Sequence, residues 1–211
     1  MPNARQVTYR PLMSPAEFSQ LMTAIWATRP RRFLEWGSGG STQTILAQCP
    51  FIERYVSLEH DPGWYERVKQ AVDDPRLELH LVEATRPEPP RRILNATKPR
   101  RNRYRLESET DQSLFAAYAN FPRSLGETFD FVLVDGRARR FCMPVGIELL
   151  NPGGIMAIHD AQREIYHPVI RSLGEPLFLE PWDRGQICLL RKPLESEGRN
   201  APVPLAAAAR R

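Results

Sequence analysis

Short apolar segments that end in an acidic residue or a glycine recur along this chain, and they constrain its fold more than any other feature. Phe129–Val134 is a run of strand length that is apolar except at Asp130, and Asp135-Gly136 ends it. Strands with both faces buried have this composition, and they belong to parallel sheets covered by helices. We expect further strands of this kind at Arg32–Trp36, Arg54–Glu59, Leu77–Val82 and Ile155–Ile158.

Helical patterns separate these strands. Ser14-Pro15-Ala16-Glu17 combines an N-cap hydroxyl, a proline at the first helical position and a glutamate three residues after the cap, so a leading helix is expected over 14–28. Further helices are expected at Ser41–Ala47, from Pro62 onward, at Leu114–Phe121, at Met143–Leu150 and from Ile165 to Leu173.

The alternation of strands and helices predicts the α/β class. We expect a doubly wound, mostly parallel Rossmann-like sheet of about seven strands, with helices on both faces. Pro176–Pro181 and Gln186–Arg191 are close enough in sequence to form an antiparallel hairpin at the sheet edge.

A chain of 211 residues is long enough to bury one core of ordinary size. We expect a single domain over 1–192 and a disordered tail over 193–211, because the tail is polar and rich in proline and alanine. The segment 86–110 breaks the pattern, since between Arg86 and Arg105 eight basic residues stand against one acid, Glu88. This basic insertion is expected to be either a cap over a binding cleft or a solvated, mobile loop.

Hydrophobic residues at 42% and charged residues at 26% are ordinary for a soluble globular protein, which excludes wholesale disorder. No segment approaches the ~18–20 consecutive apolar residues of a membrane-spanning helix, and the first ten residues lack the apolar core of a signal peptide. We therefore expect a cytoplasmic protein with no membrane partner. Cys49, Cys142 and Cys188 are too widely spaced for a zinc pair or a disulfide framework and are expected to be buried thiols.

Parallel sheets of this class bind ligands beyond the carboxyl ends of their strands. The first strand runs there into the glycine-rich turn Glu35-Trp36-Gly37-Ser38-Gly39-Gly40-Ser41-Thr42, which lets a ligand approach the backbone at a helix N-terminus. Thr42 stands where a dinucleotide fingerprint has its third glycine, which argues against NAD or FAD. Glu59 ends the second strand, where an acid can accept both hydroxyls of a ribose.

The pattern acid-x-Gly-x-Gly-x-Ser that begins at Glu35 resembles the first motif of the class I S-adenosylmethionine-dependent methyltransferases. The resemblance implies that Glu35 meets the methionyl ammonium, directly or through water, and that Glu59 binds the ribose. It also implies that the ends of the second and third strands border the nucleoside. The predicted cofactor is S-adenosyl-L-methionine, and its predicted binding residues are Glu35, Gly37, Ser38, Gly39, Ser41, Thr42, Glu59, His60, Glu83, Ala84 and Asp135.

Asp135 and Asp160 each end a buried strand, and two carboxylates that face one cleft need a cation or a shared proton. Their surroundings resemble the metal-dependent branch of class I O-methyltransferases, in which two such aspartates hold Mg²⁺. The resemblance implies a Mg²⁺ site on Asp135 and Asp160, although Ala161 stands where that branch usually has a third ligand.

The catalytic candidates of this region are Asp135, His159 and Asp160. Their alternative roles are structural: the two aspartates would be helix N-caps, and His159 would be a hydrogen-bonded residue at the end of a strand.

These features predict a methyltransferase that acts on an oxygen of a small, anionic acceptor. The Asn/Asp-Pro-Pro-aromatic motif that usually follows the fourth strand in enzymes methylating base amines is replaced here by Asp135-Gly136-Arg137-Ala138, which favours oxygen. Arginines stay protonated and bind anions, so the predicted acceptor-binding residues are Arg137, Arg101, Arg103 and Arg105.

Two other functions are compatible with the same sequence. The first is a nucleic-acid-binding or RNA-modifying protein of this fold, whose basic insertion would contact phosphates. The second is a catalytically silent methyltransferase-like module. The sequence specifies neither the acceptor nor the oligomeric state.

Overall fold

The computed structural model of the protein describes residues 9–89, 98–180 and 185–194. Its strands form one seven-stranded sheet in the order β3-β2-β1-β4-β5-β7-β6. The first five strands are parallel, whereas β7 runs antiparallel to both β5 and β6. The strands are β1 (Arg32–Trp36), β2 (Arg54–Glu59), β3 (Leu77–Leu81), β4 (Phe129–Val134), β5 (Leu150–Ile158), β6 (Leu177–Phe178) and β7 (Cys188–Arg191).

Helices cover both faces of the sheet. The α-helices are α1 (Pro15–Thr28), α2 (Gly40–Gln48), α3 (Pro62–Ala71), α4 (Lys98–Thr110), α5 (Ala116–Asn120), α6 (Arg139–Leu149) and α7 (His167–Leu173). Short 3₁₀ turns lie at Gln112–Phe115, Phe121–Leu125 and Glu164–Tyr166. No helix in the described part of the chain has the length and apolarity needed to cross a membrane.

The core consists of two clusters, one on each side of the sheet. On one side, apolar side chains of α1 and α2 form a cluster with the buried Phe33. The Phe33 ring stacks on those of Tyr55 and Phe131, with centroid distances of 4.6 Å and 5.1 Å. On the other side, Trp36 packs with residues of α5, α6 and α7. All three cysteines are free and buried, as the sequence predicts.

The strand order reverses between β1 and β4, and this reversal opens a crevice at their carboxyl ends. Gly37 follows β1 with φ of 96°, a conformation that favours glycine. A Cβ at this position would lie 2.6 Å from the backbone nitrogen of Gly136, which follows β4. The two turns therefore approach each other as closely as backbones can, and they form the floor of the crevice.

The structure confirms the predicted fold class and corrects several element boundaries. β6 (Leu177–Phe178) and β7 (Cys188–Arg191) are shorter than the predicted Pro176–Pro181 and Gln186–Arg191, and α7 begins at His167 rather than Ile165. β5 begins at Leu150 rather than Ile155, α6 begins at Arg139 rather than Met143, and β3 ends one residue early at Leu81. The helix expected at Leu114–Phe121 is a short α-helix between two 3₁₀ turns.

The largest difference lies in the basic insertion, where α4 replaces an expected irregular segment over its second half. The sequence does not predict this helix, because its inner face is held by hydrogen bonds of polar side chains rather than by a periodic row of apolar residues. The Tyr104 hydroxyl donates to the carbonyl of Arg86 (2.9 Å), and Glu109 accepts from the backbone of Arg140 and the hydroxyl of Tyr166, both at 3.2 Å. Residues 90–97 of the insertion, 181–184 of the hairpin connection and 195–211 of the predicted tail lie outside the described residues.

Candidate functional site

The carboxyl ends of β1, β2, β4 and β5 surround a cleft of about 560 Å³, a size typical of small-molecule sites. The glycine turn after β1 forms one wall, and charged groups dominate the others. The charged side chains that line the cleft are Glu59, His60, Asp61, Arg67, Glu88, Arg105, Asp135, Arg137, Arg139, His159, Asp160 and Arg163.

Glu35 lies behind the glycine turn instead of in the cleft. Its side chain is fully buried, and its two oxygens accept hydrogen bonds from the hydroxyls of Ser41 (2.7 Å), Thr42 (2.5 Å) and Ser57 (2.8 Å). Burial raises the pKa of this carboxyl group to about 7. The Thr42 hydroxyl in turn accepts from the backbone of Gly39 at 2.8 Å, so the carboxyl group organises the turn from beneath.

Neither the Glu35 nor the Thr42 side chain lines the cleft, and their predicted contacts with a cofactor, direct or through water, stay predictions. Gly37, Ser38, Gly39 and Ser41 do line it.

Trp64, in the first turn of α3, covers the outer side of the glycine turn. Its indole nitrogen donates to the carbonyl of Ser38 at 2.7 Å, and a Cβ on Gly39 would lie 3.5 Å from that nitrogen. The sequence predicts a helix from Pro62 onward and gives no sign that Trp64 contacts the glycine turn. Asp61 could have indicated the position of Trp64 from the sequence, because it is the N-cap of α3 and so fixes where the helix begins. Its carboxylate accepts from the backbone of Trp64 at 2.8 Å.

Glu59 ends β2 on the cleft wall, as its predicted role requires. Its Oε1 accepts from the backbone nitrogens of His60 (2.8 Å) and Asp61 (2.9 Å). Its Oε2 has a weaker contact with the Ser38 hydroxyl at 3.4 Å. One carboxylate oxygen is therefore held by the backbone, and the other can accept from a ligand hydroxyl.

Glu88, from the start of the basic insertion, reaches into the cleft and connects two other wall residues. Its carboxylate accepts hydrogen bonds from Nε and Nη2 of Arg137 at 3.1 Å and 2.9 Å, and it lies 3.5 Å from Nε2 of His60. Burial disfavours the charged forms of both His60 and Glu88, but their ion-pair contacts outweigh this effect. The carboxylates of Glu59 and Glu88 raise the pKa of His60 to about 9. His60 and Arg137 together lower the pKa of Glu88 to about 2.

Glu83 and Ala84, which were expected to border adenine, do not line the cleft. Glu83 is exposed, and Ala84 packs against the core. Glu88 and Pro89 take that side of the cleft instead, because the chain after β3 turns back over it.

Arg139 lies between the two strand-end aspartates. Its side chain is only 7% exposed, and it contacts the Asp135 carboxylate at 3.2 Å and the Asp160 carboxylate at 3.1 Å. It also donates to the backbone carbonyls of Gly136 and Asp135, both at 2.9 Å, and of His159. Burial works against its charge, but the neighbouring acidic groups, Asp135 first among them and then Tyr166, Asp160 and Glu109, together outweigh burial and raise the pKa of Arg139.

The residues present do not fit the predicted Mg²⁺ site. The guanidinium of Arg139 already supplies the cation that two neighbouring carboxylates require, and Ala161 has no side-chain oxygen to complete a ligand set. Within the described ranges, no three His, Cys, Asp or Glu side chains are grouped as metal ligands would be.

His159 connects this network to α1. Its Nδ1 lies 2.6 Å from Asp135, and its Nε2 lies 3.1 Å from Glu17, the residue that also completes the capping box of α1. Burial lowers the pKa of His159, but the Asp135 carboxylate outweighs it and raises the pKa overall. An imidazolium that donates to both carboxylates explains this arrangement. No ring nitrogen is left to accept a substrate proton while both contacts hold.

The alternative roles of the two aspartates as helix caps are not realised. Ala138, with φ of 56°, precedes α6, and Tyr166 precedes α7. Asp160 has φ of 59°, an uncommon conformation for a residue with a side chain, and pairs with Arg163 at 2.6 Å.

The predicted acceptor-binding arginines separate into two groups. Arg137 and Arg105 line the cleft, and Arg101 is half-buried one helical turn before Arg105. Arg103 has a side chain that is 82% exposed and pairs with Glu107 at 2.9 Å on the outside of α4.

No protein-family model matches the chain, and no curated protein matches it significantly. Solved structures do share its fold. A methyltransferase-like protein from Silicibacter pomeroyi is 23% identical, covers 92% of this chain and 95% of its own, and superposes with a TM-score of 0.56. An O-methyltransferase from Bacillus cereus in complex with SAH is 15% identical over 85% of this chain and 82% of its own, with a TM-score of 0.55.

An amino pentose methyltransferase from Micromonospora echinaspora, solved with bound SAM, is 14% identical over 84% of this chain and 90% of its own, with a TM-score of 0.52. At these identities the likeness concerns the fold. The chain has the Rossmann-like fold found in S-adenosylmethionine-dependent methyltransferases, as the sequence predicts.

Proposed function

We propose that this protein transfers the methyl group of S-adenosylmethionine to an oxygen of a small, anionic acceptor. One observation carries the proposal: the glycine turn and the Oε2 atom of Glu59 face the same cleft, at the strand-order reversal of a methyltransferase-like sheet. The neighbours solved with SAM and SAH support this choice of cofactor.

In this proposal the glycine turn receives the methionyl end of the cofactor and Glu59 receives the ribose. Missing side chains at Gly37 and Gly39 leave backbone groups accessible along the wall of the cleft. Glu35 contributes by holding the turn through three hydroxyl groups.

Asp135 is the proposed proton acceptor. It lines the cleft, and Arg139 and His159 hold its carboxylate in place. Bound S-adenosylmethionine would supply the methyl group: its carbon–sulfur bond would break as the acceptor oxygen attacks the methyl carbon, and its sulfur would leave as a neutral thioether. The hydroxyl proton passes to Asp135 as the carbon–oxygen bond forms. Because the oxygen becomes strongly acidic at that stage, a carboxylate suffices as the base. Correct alignment supplies the rest of the rate enhancement.

The nucleic-acid alternative receives less support from the structure. Arg86 and Arg103 both pair with Glu107, and Arg105, although exposed, is among the residues that line the cleft. A catalytically silent methyltransferase-like module would bind S-adenosylmethionine without transferring its methyl group, and this result would separate that alternative from the proposed enzyme.

Replacement of Glu59 by Gln tests the cofactor site. The amide oxygen can keep the backbone contacts, whereas the charge-assisted bond to a ribose hydroxyl, worth ~1.5–3 kcal/mol, is lost. We expect S-adenosylmethionine affinity, measured by calorimetry, to fall by roughly 10- to 100-fold. Glu83→Gln is the matched control, because this exposed acid follows the neighbouring strand β3 and does not line the cleft, and it should leave affinity unchanged. Equal affinities for the wild type and Glu59→Gln would contradict the placement.

A further inference from the structure

We infer that Arg101 and Arg105 of α4, together with Arg163, form a subsite for a doubly charged anionic group on the acceptor. The inference deepens the proposed function and rests on it for the identity of the molecule as a methyl acceptor. The juxtaposition that carries it is a group of guanidiniums without enough carboxylates: Arg105 and Arg163 line the cleft, and Arg101 lies one helical turn before Arg105 on α4.

The helix that bears Arg101 and Arg105 is a fixed element of the structure. Tyr104 is 2% exposed, its hydroxyl donates to the carbonyl of Arg86, and its ring lies 6.1 Å from that of Phe115. Glu109, four residues after Arg105 and so one helical turn further along α4, is hydrogen-bonded to Arg140 and Tyr166. The side chains of α4 therefore have defined positions relative to the cleft.

The arginines of α4 point in different directions. Arg101 and Arg105 are four residues apart and so share one face of the helix. Arg105 lines the cleft, and Arg101 is half-buried with its Nε atom lacking any hydrogen-bond acceptor. Arg100 and Arg103 line a separate cleft of about 370 Å³ on the outer side.

The charges around Arg105 do not balance. Arg137 is paired with Glu88 at 2.9 Å, and Arg163 is paired with Asp160 at 2.6 Å. Among the described residues, no carboxylate lies within ion-pair distance of Arg101 or Arg105. Arg139 contacts Asp160 as well as Asp135, so with that pair included five arginines face three carboxylates, which leaves a surplus of two positive charges.

The behaviour of Arg105 agrees with this surplus. Burial lowers the pKa of Arg105, and the nearby guanidiniums of Arg137, Arg101 and Arg163 lower it further. Neighbouring like charges repel one another, and a dianion bound among them would relieve that repulsion. Guanidiniums bind phosphate and carboxylate oxygens through paired hydrogen bonds, so the fitting group is a phosphate monoester or a pair of carboxylates.

Two double variants of the full chain test the subsite. Arg101→Gln/Arg105→Gln removes the inward pair, and Arg100→Gln/Arg103→Gln removes the same charge from the outward face of the same helix. Inorganic phosphate, malonate and a single-stranded RNA oligonucleotide serve as separate calorimetric probes, and S-adenosylmethionine is titrated in parallel. Circular dichroism melting checks that both variants keep the fold.

We expect the inward variant to weaken binding of the preferred dianion at least tenfold and the outward variant to change it less than twofold. Preference for phosphate or for malonate identifies the kind of anion. Equal losses in both variants, or no binding of either probe by the wild type, would overturn the subsite. Loss of single-stranded RNA binding in both variants, with no effect on the small anions, would overturn it in favour of a nucleic-acid surface.

The parallel titration separates this inference from the function on which it rests. If S-adenosylmethionine does not bind but the dianion binds through Arg101 and Arg105, the proposed function fails and the anion subsite stands. If S-adenosylmethionine binds in all variants and no dianion binds, the subsite alone fails.

Discussion

At the scale of single residues, the buried guanidinium of Arg139 offsets the negative charges of the cleft aspartates. Two strand-end aspartates would repel each other across the crevice, and the buried guanidinium between them offsets that repulsion. The sequence indicates the need for a cation, because Asp135 and Asp160 follow buried strands. It does not indicate which cation, because Arg139 reaches this place only through the turn at Ala138, whose φ is 56°.

Removal of Arg139 should therefore destabilise the protein strongly. Arg139→Gln removes the buried guanidinium between the partly buried Asp135 and Asp160, which keep only their contacts with His159 and Arg163, and loss of such charge-assisted hydrogen bonds costs about 1.5–3 kcal/mol. Denaturant unfolding measures this loss. Arg163→Gln is the control, because Arg163 pairs with the same Asp160 but is 47% exposed, and it should cost no more than about 1 kcal/mol. Similar losses for the two variants would show that Arg139 is not the balancing cation.

At the scale of elements, the strands were predictable and the polar anchoring of helices was not. The first, second and fourth strands have the predicted bounds, because a strand buried on both faces has to be apolar along its length. Helix α4 escaped prediction because Tyr104 and Glu109 hold it by hydrogen bonds rather than by an apolar stripe. The contact of Glu17 with His159 joins residues 142 positions apart, a distance over which local patterns carry no information.

The segment that leaves β3 should respond to pH through Glu88 and His60. The raised pKa of His60, about 9, gives stability that is complete below about 6.5 and is lost as pH rises toward 9. The lowered pKa of Glu88, about 2, gives stability that is complete above the ordinary value of 4.5 and is lost as pH falls toward 2. The contribution of this contact is therefore greatest between pH 4.5 and 6.5.

Unfolding of the wild type and Glu88→Gln over a pH series measures this contribution. We expect the difference in unfolding free energy to be largest within that window and to decrease on both sides, with a remainder at high pH from the pair of Glu88 with Arg137. A difference that does not vary with pH would show that Glu88 and His60 are not coupled.

At the scale of the whole molecule, the strand-order reversal brings together groups that are far apart in sequence. The turns after β1 and β4 meet at Gly37 and Gly136, and the end of β2 contributes Glu59 to the same cleft. The sequence predicted this meeting because the carboxyl ends of parallel strands share one edge of the sheet. It did not predict which groups would turn inward, since the positions of Glu35, Glu88 and Arg105 depend on packing around the cleft.

The central claim is that this cleft binds S-adenosylmethionine, and calorimetric titration of the wild-type protein tests it most directly. S-adenosylmethionine and NAD are compared under the same conditions, because both carry a ribose that Glu59 could bind. The account predicts saturable one-to-one binding of S-adenosylmethionine and no comparable binding of NAD, since Thr42 replaces the third glycine of a dinucleotide turn. Preferential binding of NAD, or failure of S-adenosylmethionine to bind, would contradict it.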